Sequence, residues 1–138
     1  MTAAIGLYVH VPFCRTRCRY CDFYRVGENT LRQAGFLAAL SHEIDGWTSL
    51  HGRSVDTVFF GGGTPSLLSP EQLTAVMEQI SRRFLLTADA EITAECNPSD
   101  LSPEKLAAYR ALGLNRLSLG VQSLNERPVL TDKVGGTD

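Results

Sequence analysis

The chain has 138 residues, of which 43% are hydrophobic and 20% charged, and it carries a formal net charge of −2. That is enough chain for one domain with its own core, and the charge excludes a strongly basic binder of nucleic acid or anionic membrane. No apolar stretch reaches the about 18 residues of a membrane span. Met1 to Gly6 lacks the basic region and apolar run of a signal peptide, so reduced cysteines are expected in a cytoplasmic protein.

Gly6 to Phe13 reads as a first strand. Leu7, Val9 and Val11 face one side and Tyr8 and His10 the other. Pro12 ends it. A cysteine loop follows at once, Cys14-Arg-Thr-Arg-Cys18-Arg-Tyr-Cys21, with the spacing C-x3-C-x2-C. Such a loop can turn three thiolates toward one metal centre. An iron–sulfur cluster is one reading; three ligands on a [4Fe–4S] cluster would leave one iron open to a small molecule. Structural zinc is the other, and it needs a fourth ligand, for which His10 is the candidate. A disulfide cannot pair all three cysteines. Arg15, Arg17, Arg19 and Arg25 crowd the loop. They form a solvated face, offset thiolate charge, or dock an acidic electron donor.

Asn29 or Thr30 caps a helix running to about His51, with Leu37, Leu40, Ile44 and Trp47 on one stripe and Gly52 as its stop. Val55 to Phe60 is a short buried strand. It empties into Gly61-Gly62-Gly63-Thr64-Pro65-Ser66, where glycines allow close backbone approach and can expose N–H groups to a ligand. Ser69-Pro70-Glu71-Gln72 opens a second helix with a capping box, and Leu73, Val76, Met77, Ile80 and Phe84 form its buried stripe.

Glu91 to Cys96 alternates as a third strand, with Cys96 on the apolar side as a structural thiol and Glu95 near the end on the other. A carboxylate there meets solvent at the rim or a ligand. Asn97-Pro98-Ser99-Asp100-Leu101-Ser102-Pro103-Glu104-Lys105-Leu106 echoes Thr64-Pro65-Ser66-Leu67-Leu68-Ser69-Pro70-Glu71-Gln72-Leu73 at an offset of 33 residues, an internal repeat of one strand–loop–helix unit. Leu106, Tyr109 and Leu112 carry the third helix, and Gly113 stops it. Arg116 to Ser123 is the fourth strand, with Gln122 near its end.

The order β-α-β-α-β-α-β predicts an α/β fold with parallel strands and right-handed crossovers. Ligand sites in such sheets gather at the C-terminal strand ends. The cysteine loop, the glycine loop, Glu95 and Gln122 all belong to that rim. Arg127 to Asp138 lacks periodicity and contains Pro128 and a Gly-Gly pair, so it is expected to be an unstructured tail on a chain that stops short of a closed sheet.

The stretch Tyr8-Val-His10-Val-Pro-Phe-Cys14-x3-Cys18-x-Tyr20-Cys21-Asp-Phe23 resembles the radical S-adenosylmethionine (SAM) superfamily. It is most similar to the branch that holds oxygen-independent coproporphyrinogen III oxidases (HemN) and haem chaperones (HemW). Gly61-Gly-Gly-Thr-Pro-Ser, Glu95-Cys-Asn-Pro and Gly120-Val-Gln-Ser match that branch in order. The resemblance covers Tyr8 to Glu126. It implies a partial (βα) barrel, with about four of an expected six strands present, residues 1–126 being the N-terminal part of the core domain. It also implies that Cys14, Cys18 and Cys21 hold a [4Fe–4S] cluster whose open iron is chelated by SAM. Tyr8 and Tyr20 would line the SAM site, Gly62, Gly63 and Thr64 would present backbone to its methionine end, and Glu95 and Gln122 would bind its polar groups. The reduced cluster would cleave SAM to a 5′-deoxyadenosyl radical, with flavodoxin or ferredoxin as electron donor. Phe23, where the oxidases have another cysteine, and the short segment before the first strand imply a HemW-like haem chaperone. The alternative is the oxidase, which decarboxylates porphyrinogen propionates; a zinc-binding structural module is a minor one. The branch continues past the fourth strand into a Gly-Arg-x-His element that binds SAM. Here that region reads Thr131-Asp-Lys-Val-Gly-Gly, which implies an incomplete version.

Overall fold

The computed structural model describes residues 3–16, 18, 21–121 and 124. The chain opens with β1 (Ile5–Val11), followed by two short strands around the cysteine loop, β2 (Phe13–Cys14) and β3 (Val26–Gly27). Then come α1 (Thr30–Gly46), β4 (Ser54–Gly62), α2 (Pro70–Arg83), β5 (Leu85–Cys96), α3 (Pro103–Ala111) and β6 (Arg116–Leu119). The main sheet is parallel with order β1-β4-β5-β6, so each new strand is added on the same side of the last. With right-handed crossovers that progression puts all three helices on one face, as expected for a partial (βα) barrel.

The two faces separate cleanly. Val9, Val11, Val58, Phe60, Ile92, Ala94 and Cys96 are buried on the helix side. They meet the predicted α2 stripe: Leu73, Val76, Met77, Ile80 and Phe84 are buried without exception. The other face carries Tyr8, Phe59, Thr93 and Arg116 in one register row, and His10 beside Gly61 and Glu95 beside Ser118 in rows nearer the strand ends. On β6, Leu117 and Leu119 lie on the helix side yet are 38% and 49% exposed, since no described helix follows to cover them.

The helix starts are set by side chains. Asn29 Oδ1 accepts from Leu31 N (2.9 Å) and Arg32 N (3.3 Å). Ser69 and Gln72 form the anticipated reciprocal capping box, and Ser102 Oγ accepts from Lys105 N at 3.1 Å. The internal repeat is structural as well: Pro65–Leu67 and Pro98–Asp100 both form a 3₁₀ turn between a strand and a serine-capped helix.

Several boundaries differ from expectation, and one is the fourth strand, which ends at Leu119, not at the expected Ser123, and leaves Gly120 and Val121 outside it. The first helix ends at Gly46, not near His51, because Trp47 leaves helical ψ and a separate 3₁₀ turn (Thr48–Leu50) leads to Gly52 at φ +76°. His51 therefore lies beyond the helix: its Nε2 is 3.1 Å from Ile44 O and its ring meets Phe84 edge-on. Gly61 and Gly62 are not a free loop but continue β4 opposite His10 and Val11. The third strand starts at Leu85, with a register shift before the stretch from Glu91 that matches the sequence pattern. The predicted tail, 127–138, lies outside the described residues.

Candidate functional site

The cysteine loop grows from a fixed root. Phe13 is 1% exposed and packs edge-to-face on Phe36, with ring centres 5.4 Å apart. β2 pairs with β3, so that Cys14 lies opposite Gly27. Backbone bonds from Val26 N to Pro12 O (2.8 Å) and from Glu28 N to Cys14 O (3.1 Å) close the base of the loop. This small pair was not anticipated, because two residues are too short for any alternation to show.

The glycine loop is clamped onto that root. Gly63 N–H donates to Val11 O (2.8 Å), Thr64 N–H to Phe13 O (2.7 Å) and Gly62 N–H to Glu95 Oε2 (3.0 Å). All three N–H groups are therefore committed within the protein, which corrects the expectation that this loop offers them to a ligand. What Gly62 and Gly63 can present is carbonyl oxygen, an acceptor suited to an ammonium group, while Thr64 O already accepts from Leu67 N at 3.0 Å. The glycines are needed for close packing. A Cβ on Gly63 would stand 2.6 Å from Phe13 O, and one on Gly62, at φ +108°, would strike the His10 ring. Thr64 Oγ1 also donates to Cys14 Sγ at 3.6 Å.

Glu95 is half-buried at the end of β5 and accepts from Gly62 with one oxygen, leaving further acceptor capacity. It borders a cleft of about 260 Å³ with Gly63, Thr64, Asn97, Ser118 and Gly120. Tyr8 stacks on Phe59 on the same sheet face, and its hydroxyl is pushed above its ordinary pKa by burial and by the Glu95 charge. Cys14, Glu95, Gly62, Gly63 and Thr64 thus share one rim, with Tyr8 on the adjoining face. Tyr20 and Gln122 lie outside the described residues.

His10 has both ring nitrogens engaged: Nε2 lies 2.9 Å from Tyr24 O and Nδ1 3.0 Å from Tyr8 OH. Because a carbonyl only accepts, Nε2 carries the proton, and neither nitrogen is open to a metal. This removes the fourth ligand from the zinc reading. Cys96 is no substitute. It is buried in the helix-side core, donates to Ala94 O at 3.6 Å, and burial pushes its thiol up to about 11.

Cys14, Cys18 and Cys21 are half-buried free thiols. Among the described residues no three metal-binding side chains stand close enough together to hold an ion. The donor set nevertheless suits an iron–sulfur cluster: three thiols on one loop and the half-buried Arg25 beside them. Burial, with Cys21 and Cys18 adding to it, holds the Cys14 thiol above its ordinary range, and the Thr64 hydroxyl and the Arg25 guanidinium offset only part of that rise. A cavity of about 600 Å³ adjoins Cys14 and Cys21.

The arginines are less available than a docking face requires. Arg15 pairs with Asp100 and, at 3.3 Å, with Glu28. Asp100, whose side chain is 1% exposed, also accepts from Ser66 Oγ at 2.8 Å, and Ser66 Oγ accepts from Asn97 N at 3.0 Å. Lys105 Nζ donates to Ser66 O. This network ties the cysteine loop to both copies of the repeat. Arg25 is bonded to loop carbonyls, while Arg17 and Arg19 lie outside the described residues. Sequence reading missed Asp100 and Ser66 as site residues; the repeated Pro-Ser was the signal that could have marked them.

The chain matches the family described as Radical SAM superfamily over residues 8–138. It is 46% identical over 122 residues to the mitochondrial radical S-adenosyl methionine domain-containing protein 1 of Bos taurus, covering 88% of this chain and 28% of that one. It is 43% identical over 133 residues to heme chaperone HemW of Mycobacterium tuberculosis, with 91% and 33% covered. The HemW of Escherichia coli is 38% identical over 124 residues, with 88% and 33% covered. Among solved structures, coproporphyrinogen III oxidase (HemN) from Escherichia coli, described as a radical SAM enzyme, superposes with a TM-score of 0.82 at 36% identity over 88% of this chain and 29% of that one. The chain spans about a third of the length of these relatives.

Proposed function

This chain belongs to the radical SAM superfamily, and from that premise we propose that it is the N-terminal part of the core of a HemW-type haem chaperone. Cys14, Cys18 and Cys21 would hold a [4Fe–4S] cluster, and the cleft beside Glu95 would hold SAM. The observation that carries this reading is the mounting of Cys14 on the glycine loop, whose rim continues into a cleft with a carboxylate at its edge. The HemW relatives and Phe23 support the chaperone side; the fold of HemN supports porphyrinogen oxidation as a second reading.

When bound, the cluster and SAM supply one-electron reductive cleavage of SAM. The residues of this chain supply the setting. The Thr64 hydroxyl donates to the Cys14 sulfur, and the Arg25 charge offsets thiolate charge. Glu95 accepts from donors such as a ribose diol, and the carbonyls of the glycine loop accept from an ammonium group. Haem or a porphyrinogen is the proposed partner, and flavodoxin or ferredoxin the proposed electron donor. Among the described residues no helix is long and apolar enough to cross a membrane. The free thiols support a reducing compartment, proposed to be the cytoplasm.

The test is anaerobic reconstitution with iron and sulfide, followed by metal analysis, absorption and EPR with and without SAM. Cys14→Ala, Cys18→Ala and Cys21→Ala should each lose the cluster, while Cys96→Ala should keep it. A colourless zinc-binding product would sink the cluster. A reduced-cluster EPR signal indifferent to SAM would remove the cofactor role. Haem binding without conversion of coproporphyrinogen III is expected; conversion under anaerobic reducing conditions would favour the oxidase.

A further inference from the structure

Two of the three loop cysteines are held by one side chain. Arg25 Nη1 donates to Cys21 O at 2.5 Å and Arg25 Nη2 to Cys18 O at 3.0 Å. Cys18 O also accepts from Cys21 N at 3.3 Å, so the same carbonyl links the two cysteines directly. Arg25 is well placed to do this. It directly precedes β3, which is paired with the strand that carries Cys14. Its backbone is therefore fixed to one end of the loop while its guanidinium grips the other.

We propose that Arg25 is a positioning residue for the cluster, a bracket that holds the Cys18–Cys21 half of the loop at a set distance from Cys14. The inference deepens the reading of the loop as a [4Fe–4S] site and rests on it. Two features make a bracket the better account than a merely charged neighbour. Arginine's planar fork can span two carbonyls at once, which the single ammonium of lysine cannot do with the same fixed geometry. The grip is also on backbone oxygens, so the three sulfurs stay free for iron. The Nε of Arg25 is buried and has no partner among the described residues, which leaves one more donor beside a group that becomes anionic on loading. Arg15, by contrast, reaches away from the thiols to Glu28 and Asp100. The two arginines thus divide the work, one strapping the Cys14 end to the rim and the other bracing the far end.

The experiment compares Arg25→Ala, Arg25→Gln and Arg25→Lys with the unaltered chain, and uses Arg32→Ala as a control that removes a charge from the same cavity. In metal-free protein, amide hydrogen exchange over residues 18–25 should quicken at least fivefold in all three Arg25 variants, Lys included, and stay unchanged in Arg32→Ala. In reconstituted protein, iron release to a chelator should be about tenfold faster for Ala and Gln and severalfold faster for Lys. The cluster's midpoint potential should fall in Ala and Gln but hold in Lys, because only Lys keeps the charge. Exchange and release equal to those of the unaltered chain in Arg25→Ala would overturn the proposal, as would full restoration by Lys, which would show charge alone at work. If the unaltered chain takes up no cluster, the cluster reading itself fails, and the exchange experiment on metal-free protein still decides whether Arg25 braces the loop.

Discussion

Replacing Gly63 with alanine would force the glycine loop and the cysteine loop apart. The added Cβ would lie 2.6 Å from Phe13 O, 2.7 Å from Pro12 C and 2.9 Å from Phe13 N. All three are backbone atoms, and Phe13 is too deeply buried to withdraw. Backbone strain plays no part, since the described glycines with positive φ are Gly52, Gly62 and Gly113. Relief has to come from separation of the two segments, which stretches the bonds from Gly63 N to Val11 O and from Thr64 N to Phe13 O. Overpacking of this kind costs about 1–3 kcal/mol, and each weakened bond adds about 1 kcal/mol. A loss of about 2–5 kcal/mol is therefore expected, a large part of the ~5–15 kcal/mol that holds a domain together. Urea denaturation followed by far-UV circular dichroism measures it, and iron per chain after reconstitution reports the position of Cys14. Gly52→Ala is the control: its φ of +76° strains any side chain, but nothing lies within 4 Å. It should cost about 1–2 kcal/mol and leave iron uptake intact. A Gly63→Ala protein within about 0.5 kcal/mol of the unaltered chain, with full iron content, would refute the claim that this contact mounts the loop.

Asp100→Ala removes the acceptor shared by Ser66 and Arg15. A buried charged hydrogen bond is worth about 1.5–3 kcal/mol, and the half-exposed Arg15 adds at most about 1 kcal/mol. Asp100→Asn keeps an acceptor for Ser66 and should lose about half as much in the same denaturation assay; equal losses would show that the charge carries the whole effect, and no loss in the Asn variant would show that the charge is irrelevant. Cys96 gives a pH signature. Its thiol is raised from 9.0 to about 11, chiefly by burial. Below about pH 9 both folded and unfolded chains hold the proton, so there is no difference. Between pH 9 and 11 only the unfolded chain gives it up, and stability falls as pH rises, by about 2–3 kcal/mol across that window. Cys96→Ala should flatten that part of the stability profile, and an unchanged slope would place the titration elsewhere. Glu95→Gln retains an acceptor for Gly62 N–H but not the charge. It should leave the melting temperature near that of the parent and weaken SAM binding to the reconstituted protein about tenfold; undiminished affinity in equilibrium dialysis would take Glu95 out of the pocket.

What the sequence made legible is what periodicity and local chemistry encode. The α2 stripe, the capping box at Ser69 and Gln72 and the alternation from Glu91 are written within a few residues of themselves, and the structure follows them. The shared rim was also legible, because a βα order dictates which strand ends lie together. The rest depends on contacts between distant segments. Nothing near Asp100 announces Arg15, 85 positions earlier, and nothing near Thr64 announces Cys14, 50 positions away. The glycine loop was misjudged for the same reason. Its N–H groups looked free because their acceptors, Val11, Phe13 and Glu95, belong to other strands.

These long-range bonds alter what the glycine loop is for. A run of glycines after a strand invites the view that a ligand occupies the space that side chains would have filled. Here the space at Gly63 is taken by Pro12 and Phe13, and at Gly62 by His10. The loop serves first as the seat of the cysteine loop, and its Thr64 hydroxyl extends that seat to the first sulfur. If the loop holds the proposed cluster, a site built this way is asymmetric before any metal arrives. Cys14 is fixed through paired strands and the Thr64 contacts, while Cys18 and Cys21 depend on Arg25 and the one bond between them. The conformational cost of gathering three thiolates then falls on the second half of the loop, because the first half is already ordered by the fold. Weakening the seat and weakening the bracket should for that reason fail differently: Gly63→Ala should cost fold stability and iron together, whereas Arg25→Ala should cost iron retention with the fold intact.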